Sequence, residues 1–271
     1  YVYLMAASDV AFSFDNDISN ERKIGSVIPY HVAVGYIGDY RFNLLKKPAT
    51  TIRNRLQKNG AKRIVAYFDE NSVDDQRWGG SHTSARLKYE FLLEKVLSDS
   101  CLGLILKPKK PSDLRARLGS TVEILERAED TGRCIIFEGG TLKNPYPPAI
   151  ASLASDIAIC GHIYGGTAGL ESALTGTPTL ILDQEGWPKS KLYNLGKGEV
   201  VFNEWESLWD GCMNYWDSNS SNNSFGNWSL LLDELDPFRD GRAAERIGTY
   251  LKWILDGFKA DLARETVLSN A

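Results

Sequence analysis

Short apolar runs alternate with amphipathic stretches along the chain from about residue 61 onward. Strands are predicted at Arg63–Phe68, Cys101–Leu106 and Arg133–Phe137, with helices at Thr83–Leu97 and Asp113–Ala128 between them. The apolar runs are five or six residues long and lack a strict alternation of apolar and polar positions. Such runs are typical of strands that are covered on both faces. The pattern therefore predicts an α/β fold with a doubly wound, Rossmann-like parallel sheet.

The same alternation continues in the second half of the chain, around a glycine-rich loop. The predicted elements there are the helix Pro148–Ala154, the strand Ser155–Cys160, the helix Thr167–Thr175, the strand Thr179–Leu182, the strand Glu199–Phe202, the Trp-rich helix Glu204–Trp216 and a long helical stretch, Gly241–Glu265. The polar tract at residues 217–224 is predicted to be a surface loop. Residues 1–60 differ, because they offer only two strand candidates, Val2–Met5 and His31–Ile37, and one helix candidate, Thr50–Lys58.

Composition narrows the class of protein. The 271 residues carry a net charge of −4 and are 43% hydrophobic, which predicts a globular core and argues against a general nucleic-acid binder. No apolar run approaches the roughly 20 residues that span a bilayer, and the N-terminus lacks the charged lead-in of a signal peptide. The four cysteines lie far apart, which favours reduced core residues over disulfides or zinc ligands. We expect a cytoplasmic protein without a bound metal. The chain begins at Tyr1 and not at methionine, which leaves two interpretations open: an excised domain or a reduced form of the fold.

The loop that joins the strand Ser155–Cys160 to the next helix carries the strongest chemical signal. Gly165, Gly166 and Thr167 open the helix, and Glu171 lies one turn inside it. Free backbone N–H groups and the positive end of the helix dipole suit the phosphates of a nucleotide. The carboxylate of Glu171 can accept two hydrogen bonds from a ribose diol. The alternative is a tight turn that needs glycine for backbone reasons alone.

A basic cluster follows the strand Cys101–Leu106, at the sheet edge where ligands bind in open α/β folds. Lys107 and Lys109 lie there in a loop flanked by prolines, and a stiff loop loses less entropy on binding. Their ammonium groups suit a phosphate or an acidic sugar. A solvated basic turn is an equally good interpretation.

Other polar residues at this edge are weaker candidates. The loop after the first strand is long and ends in a second helix start, where Arg77, Ser81 and His82 are candidate phosphate contacts. The four carboxylates of this loop are equally consistent with an acceptor site or with a loop that is merely soluble. Glu138, which follows the strand Arg133–Phe137, is placed to border a nucleobase. His162 is either a ligand contact or a loop histidine with a structural partner.

The order of motifs over residues 155–180 resembles that of a known group of enzymes. The apolar strand, the Gly165-Gly166-Thr167 helix start with Glu171, and the Gly-Thr-Pro-Thr-Leu segment resemble the donor-binding half of GT-B glycosyltransferases and the related nucleotide-sugar 2-epimerases. The resemblance implies that Gly165, Gly166 and Thr167 bind the donor phosphate and that Glu171 binds the ribose.

A second resemblance lies in the basic cluster. Lys107-Pro108-Lys109 is similar in position to the Lys-Pro-His-Pro element of bacterial capsule polymerases and of sialic-acid or Kdo transferases, which use CMP-activated sugars. Lys109 stands where that element has histidine. The resemblance implies phosphate contacts for Lys107 and Lys109 and a CMP- or UDP-linked donor.

These resemblances imply a domain organisation and an activity. Residues 1–60 are expected to be either the remnant of an acceptor domain or a strand and helix added to the edge of the main sheet. Residues 61–271 are expected to form a nucleotide-sugar-binding domain with a C-terminal helix. The implied activity is that of a metal-independent GT-B glycosyltransferase, without a cofactor, that moves a sugar from a nucleotide donor to a surface polysaccharide or glycolipid. A missing N-terminal domain or a partner enzyme would supply the acceptor contacts, in the cytoplasm or at the inner membrane.

Two alternatives remain open. A nucleotide-sugar 2-epimerase uses the same architecture for a different reaction. A non-catalytic module could instead bind a nucleotide or glycan and present Trp205, Trp209 and Trp216 to a partner enzyme; at helical spacing, however, such residues are more often core residues.

Overall fold

The apolar runs of the sequence form a six-stranded sheet in which every neighbouring pair is parallel. Its strands are β3 (Arg63–Phe68), β4 (Leu102–Lys107), β5 (Cys134–Ile136), β6 (Ile157–Cys160), β7 (Thr179–Leu182) and β8 (Val201–Phe202), and their order across the sheet is β5-β4-β3-β6-β7-β8. The chain builds the sheet outward from β3 in one direction and then from β6 in the other. This order is that of the doubly wound Rossmann fold, so the predicted fold class is confirmed.

The structure, a computed structural model, describes residues 8–15, 28–75, 80–138, 146–163, 166–218 and 224–270. The chain divides into two compact units. The larger unit, Phe42–Leu230, contains the six-stranded sheet, and the other combines Tyr1–Arg41 with Leu231–Ala271. The predicted domain boundary after residue 60 stays a prediction.

The helices of the described residues flank the sheet or belong to the other unit. They are α1 (Phe42–Lys58), α2 (His82–Ser98), α3 (Leu114–Leu118), α4 (Val122–Asp130), α5 (Pro148–Ala154), α6 (Gly166–Leu174), α7 (Trp205–Asp217), α8 (Ser229–Leu235), α9 (Ala243–Lys259) and α10 (Arg264–Asn270). Most predicted boundaries lie within two residues of these.

The core lies between the sheet and the helices of the larger unit. Five of the six residues of β3 and all six of β4 are buried, as expected for strands that are covered on both faces. Helix α2 adds Tyr89, Leu92, Leu93 and Val96, which recur at helical spacing.

The Trp-rich helix α7 belongs to this core. Trp205 and Trp209 are buried, and Trp205 stacks on Phe91 with ring centroids 4.8 Å apart. These two tryptophans therefore do not form the exposed contact face that the non-catalytic alternative requires.

Two predicted helices are each interrupted. The helix predicted at Asp113–Ala128 is divided into α3 and α4 by a 3-10 turn at Gly119–Thr121. Gly119 has a φ of +56° and a Cβ there would lie 3.2 Å from the Arg86 guanidinium, so glycine permits both the turn and the close approach. The C-terminal stretch is likewise divided, because Asp261 has a φ of +54° between α9 and α10.

The smaller unit joins the two ends of the chain. Strands β1 (Val10–Ser13) and β2 (Tyr30–Ala33) pair in parallel, and the rings of Phe12 and Tyr250 meet edge to face at 5.5 Å. Arg246 donates to the carbonyl of Val34 at 3.2 Å. The strand candidate Val2–Met5 lies outside the described residues.

Candidate functional site

A crevice opens at the carboxyl ends of β3 and β6, where the strand order reverses. Its free volume is about 20 Å³ and it opens to solvent; it is lined by the loop after β3, by the first two turns of α2, and by Gly161 and His162. In open α/β sheets this switch point is the general place for a ligand. The crevice is therefore the candidate functional site.

A buried ion pair shapes the loops on one side of the crevice. Asp69, directly after β3, accepts hydrogen bonds from the Tyr89 hydroxyl at 2.9 Å and from Arg117 Nη2 at 3.3 Å. Arg117 also donates to Ser72 Oγ at 3.1 Å and to the carbonyl of Lys110 at 3.3 Å. Burial raises the pKa of Asp69, while these donors oppose the rise. The pair joins the loop after β3 to the loop after β4.

The basic cluster after β4 is held by this same pair. The Lys109 backbone N–H donates to Asp69, and the Lys109 ammonium pairs with Glu70. Lys107 is buried and donates to the carbonyl of Pro108 at 3.2 Å. Burial lowers the pKa of Lys107, and the nearby carboxylates of Asp69 and Glu171 act in the opposite direction. The loop is thus held in place by hydrogen bonds and an ion pair. The sequence alone could not distinguish it from a solvated turn.

Glu171 has a structural contact that the sequence did not reveal. It is only 3% exposed, and its Oε1 accepts a hydrogen bond of 2.9 Å from the backbone N–H of Ala149, at the start of α5. Free N–H groups at a helix start need such acceptors. Gly166 begins α6 and Thr167 is exposed, whereas Gly165 lies outside the described residues. The phosphate and ribose roles of these residues stay predictions.

The first glycine of the loop after β6 has a packing reason. A Cβ on Gly161 would lie 2.2 Å from the hydroxyl of Tyr67, whose ring is buried. Such a contact is far shorter than atoms tolerate, so the ring of Tyr67 by itself requires glycine at this position.

His162 lies at the crevice with a carboxylate partner. Its Nε2 is 2.6 Å from Glu185 Oε1. Burial lowers the pKa of His162, the positive charge of Lys88 lowers it further, and Glu185 opposes both effects. Of the two interpretations of His162, the structure shows the structural partner, and a ligand contact stays a prediction.

Replacing His162 by asparagine is expected to reduce the loss of stability at acid pH. Because the folded protein holds the pKa of His162 below its ordinary value of about 6.5, the unfolded chain binds the proton more readily. His162 therefore contributes stability that is complete above about pH 6.5 and is lost as the pH falls. Urea denaturation between about pH 8 and pH 5 measures this, and equal slopes in wild type and variant would contradict it.

Of the remaining candidate site residues, the structure places Ser81 at the crevice. Ser81 also caps α2 by accepting from the Ser84 N–H at 3.1 Å, and His82 Nδ1 is 2.8 Å from Ser72 Oγ. Glu138 is exposed and pairs with Arg115 at 3.3 Å. Arg77 lies outside the described residues.

Sequence reasoning missed two buried cations near the crevice, Lys88 and Arg117. Lys88 lies in the helix predicted at Thr83–Leu97, where Ser81, Ser84 and Lys88 fall at helical spacing on one face. That spacing was a usable signal. For Arg117 there was none, since its partner Asp69 is 48 residues away.

Within the described residues, no group of three or more His, Cys, Asp or Glu side chains is arranged to hold a metal ion. Metal independence stays a prediction.

None of the helices in the described part of the chain is long and apolar enough to cross a membrane.

Comparison with known proteins finds similar structures but no match by sequence. No protein-family model matches the chain, and no curated protein matches it. A structure of a single-site variant of the wall teichoic acid polymerase TagF is similar, with a TM-score of 0.58, 14% identity, and coverage of 89% of this chain and 57% of that one. A TagF structure with CDPG has a TM-score of 0.54, 12% identity and coverage of 89% and 55%.

A protein from Listeria monocytogenes assigned as a UDP-N-acetylglucosamine 2-epimerase is similar to the same degree. The TM-score is 0.56 and the identity 15%, with 95% of this chain and 61% of that chain covered. The chain thus spans between 55% and 61% of the length of these neighbours. At such low identity the likeness shows the fold, which is the GT-B glycosyltransferase-like fold.

Proposed function

We propose that the protein is a glycosyltransferase, or the donor-binding half of one, that moves a sugar from a nucleotide donor to a surface polysaccharide or glycolipid. The observation that carries the proposal is the crevice at the switch point together with the ionisable groups around it. Lys107 is buried at the same sheet edge, close enough to Glu171 for the carboxylate to affect its pKa. Such an edge binds nucleotides in this fold.

The proposed chemistry uses cations instead of a metal. When the sugar leaves the donor, negative charge develops on the departing phosphate. An ammonium group at Lys107 and the N–H groups at the start of α6 would stabilise that charge, and such preorganised stabilisation is usually the largest contribution to catalysis. Lys109 is already paired with Glu70, so its direct contact with phosphate requires that this pair open.

An epimerase is the second candidate, and His162 with Glu185 is the observation that favours it. An epimerase moves protons at the sugar and needs positioned acid and base groups. A histidine whose ring nitrogen meets a carboxylate at 2.6 Å at the crevice is such a group. Conversion of a nucleotide sugar in the absence of any acceptor would favour this reaction over sugar transfer.

The proposal is tested by calorimetric titration of the chain with CMP, CDP, UDP and GDP. We expect one nucleotide to bind selectively. The Lys107→Met substitution is expected to lower the affinity for that nucleotide about tenfold or more, because a charged hydrogen bond is lost. Lys62→Met serves as the control, since Lys62 is exposed and lies before β3, at the opposite end of the strand from the crevice. Absence of binding by all four nucleotides would contradict the proposal.

A further inference from the structure

One face of helix α2 is directed at the switch-point crevice. Ser81, Ser84, Ala85 and Lys88 all line it, and their spacing of three, four and seven residues places them on one side of a helix. Three of the four are small, and the one long side chain among them is that of Lys88. The serine hydroxyls can donate as well as accept.

Lys88 is buried at the crevice, and its ammonium has more N–H donors than the described residues accept from it. The residue is 6% exposed, and Nζ donates to the carbonyl of Gly161 at 2.6 Å. Among the described residues, this carbonyl is the one hydrogen-bond acceptor of the ammonium, and no carboxylate lies within 4 Å of Nζ. An ammonium carries three donors, and burying it without partners is costly. Burial accordingly lowers the pKa of Lys88.

The carboxylates in the neighbourhood have other partners. Asp69 binds Arg117, and Glu185 binds His162. Asp183 accepts from the backbone N–H groups of Gly186 and Trp187 at 3.1 and 2.8 Å and from the Tyr193 hydroxyl at 2.6 Å. Their charges raise the pKa of Lys88, but none of them takes its remaining donors.

We infer that the crevice is an anion subsite in which Lys88 and the hydroxyl of Ser84 bind a phosphate or a carboxylate of the ligand. This anion site is separate from the predicted phosphate contacts at Lys107 and at the start of α6. Its assignment to a substrate rests on the proposed function: in a nucleotide-sugar enzyme, the anion is a donor phosphate or the acid group of a sugar.

The test uses pyrophosphate and glucuronate as probes for the two sources, each titrated calorimetrically into the whole chain. Wild type is expected to bind at least one probe. Lys88→Met is expected to weaken binding about tenfold or more, and Ser84→Glu, which places a negative charge on the same face, is expected to weaken it similarly. Lys95→Met is the matched control, because Lys95 lies on the same helix but packs over the rings of Phe91 and Trp209.

Circular dichroism checks that each variant folds, and Ser84→Glu decides the question if Lys88→Met does not fold. The inference is overturned if wild type binds neither probe, or if both crevice variants bind as tightly as Lys95→Met. Its failure can be distinguished from that of the proposed function. If the crevice variants lose probe binding and wild type binds no nucleotide, the anion subsite is supported and the donor role is removed. If wild type binds one nucleotide selectively and the crevice variants bind it equally well, the donor role is supported and the anion subsite is removed.

Discussion

Replacing Arg117 by methionine is expected to lower the free energy of unfolding by about 3–5 kcal/mol, the usual cost of removing one partner of a buried ion pair. The guanidinium is buried and contacts Asp69, Ser72 and the carbonyl of Lys110. Without it, Asp69 keeps the Tyr89 hydroxyl and the Lys109 N–H but loses its only cation among the described residues within 4 Å. Chemical denaturation measures the change.

Arg115 provides a matched control two residues away on the same short helix. Its side chain is 42% exposed and pairs with glutamates at the surface, so Arg115→Met is expected to cost no more than about 1 kcal/mol. A double variant, Asp69→Asn with Arg117→Met, removes both charges and is expected to recover part of the loss. Equal, small effects of Arg115→Met and Arg117→Met would show that the buried pair does not stabilise the fold.

Replacing Glu171 by alanine is expected to have two separable effects. The Ala149 N–H at the start of α5 loses its 2.9 Å acceptor, and an unsatisfied buried donor costs about 1–3 kcal/mol of stability. If Glu171 also binds ribose, as the resemblance implies, the affinity for nucleotide falls about tenfold or more. Denaturation and calorimetric titration measure the two effects independently.

Glu171→Gln separates the helix cap from the ligand contact. Glutamine keeps a carbonyl oxygen that can accept from Ala149, so the loss of stability is expected to be smaller than in Glu171→Ala. It loses the negative charge, and charge-assisted hydrogen bonds are roughly twice as strong as neutral ones, so nucleotide affinity is still expected to fall. Wild-type affinity in a folded Glu171→Gln protein would leave its carboxylate with the structural role alone.

The crevice could be located from the sequence only in part. The strand that ends at Cys160 and the glycine loop after it were recognisable, because a buried run, a turn and a helix start follow one another locally. The reason for Gly161 was not, since it is the ring of Tyr67 on the neighbouring strand that excludes a Cβ. The loop after β3 was recognisable from the sequence as long and polar, but the partner of its first residue, Asp69, was not.

Between residues 61 and 217 the sequence by itself determined the order of strands and helices along the chain, apart from the division of the helix predicted at Asp113–Ala128. Hydrophobic periodicity and the need to cover both faces of each apolar strand are local properties of the chain. The strand Val10–Ser13 and the helix Ser229–Leu235 were not predicted. The sequence also determined which polar segments follow the strands.

Only the tertiary structure decided which side chains meet: Asp69 with Arg117 across 48 residues, Lys88 with Gly161 across 73, and Glu171 with Ala149 across 22. Those pairs depend on strand register and on how each helix crosses the sheet, which no local pattern encodes.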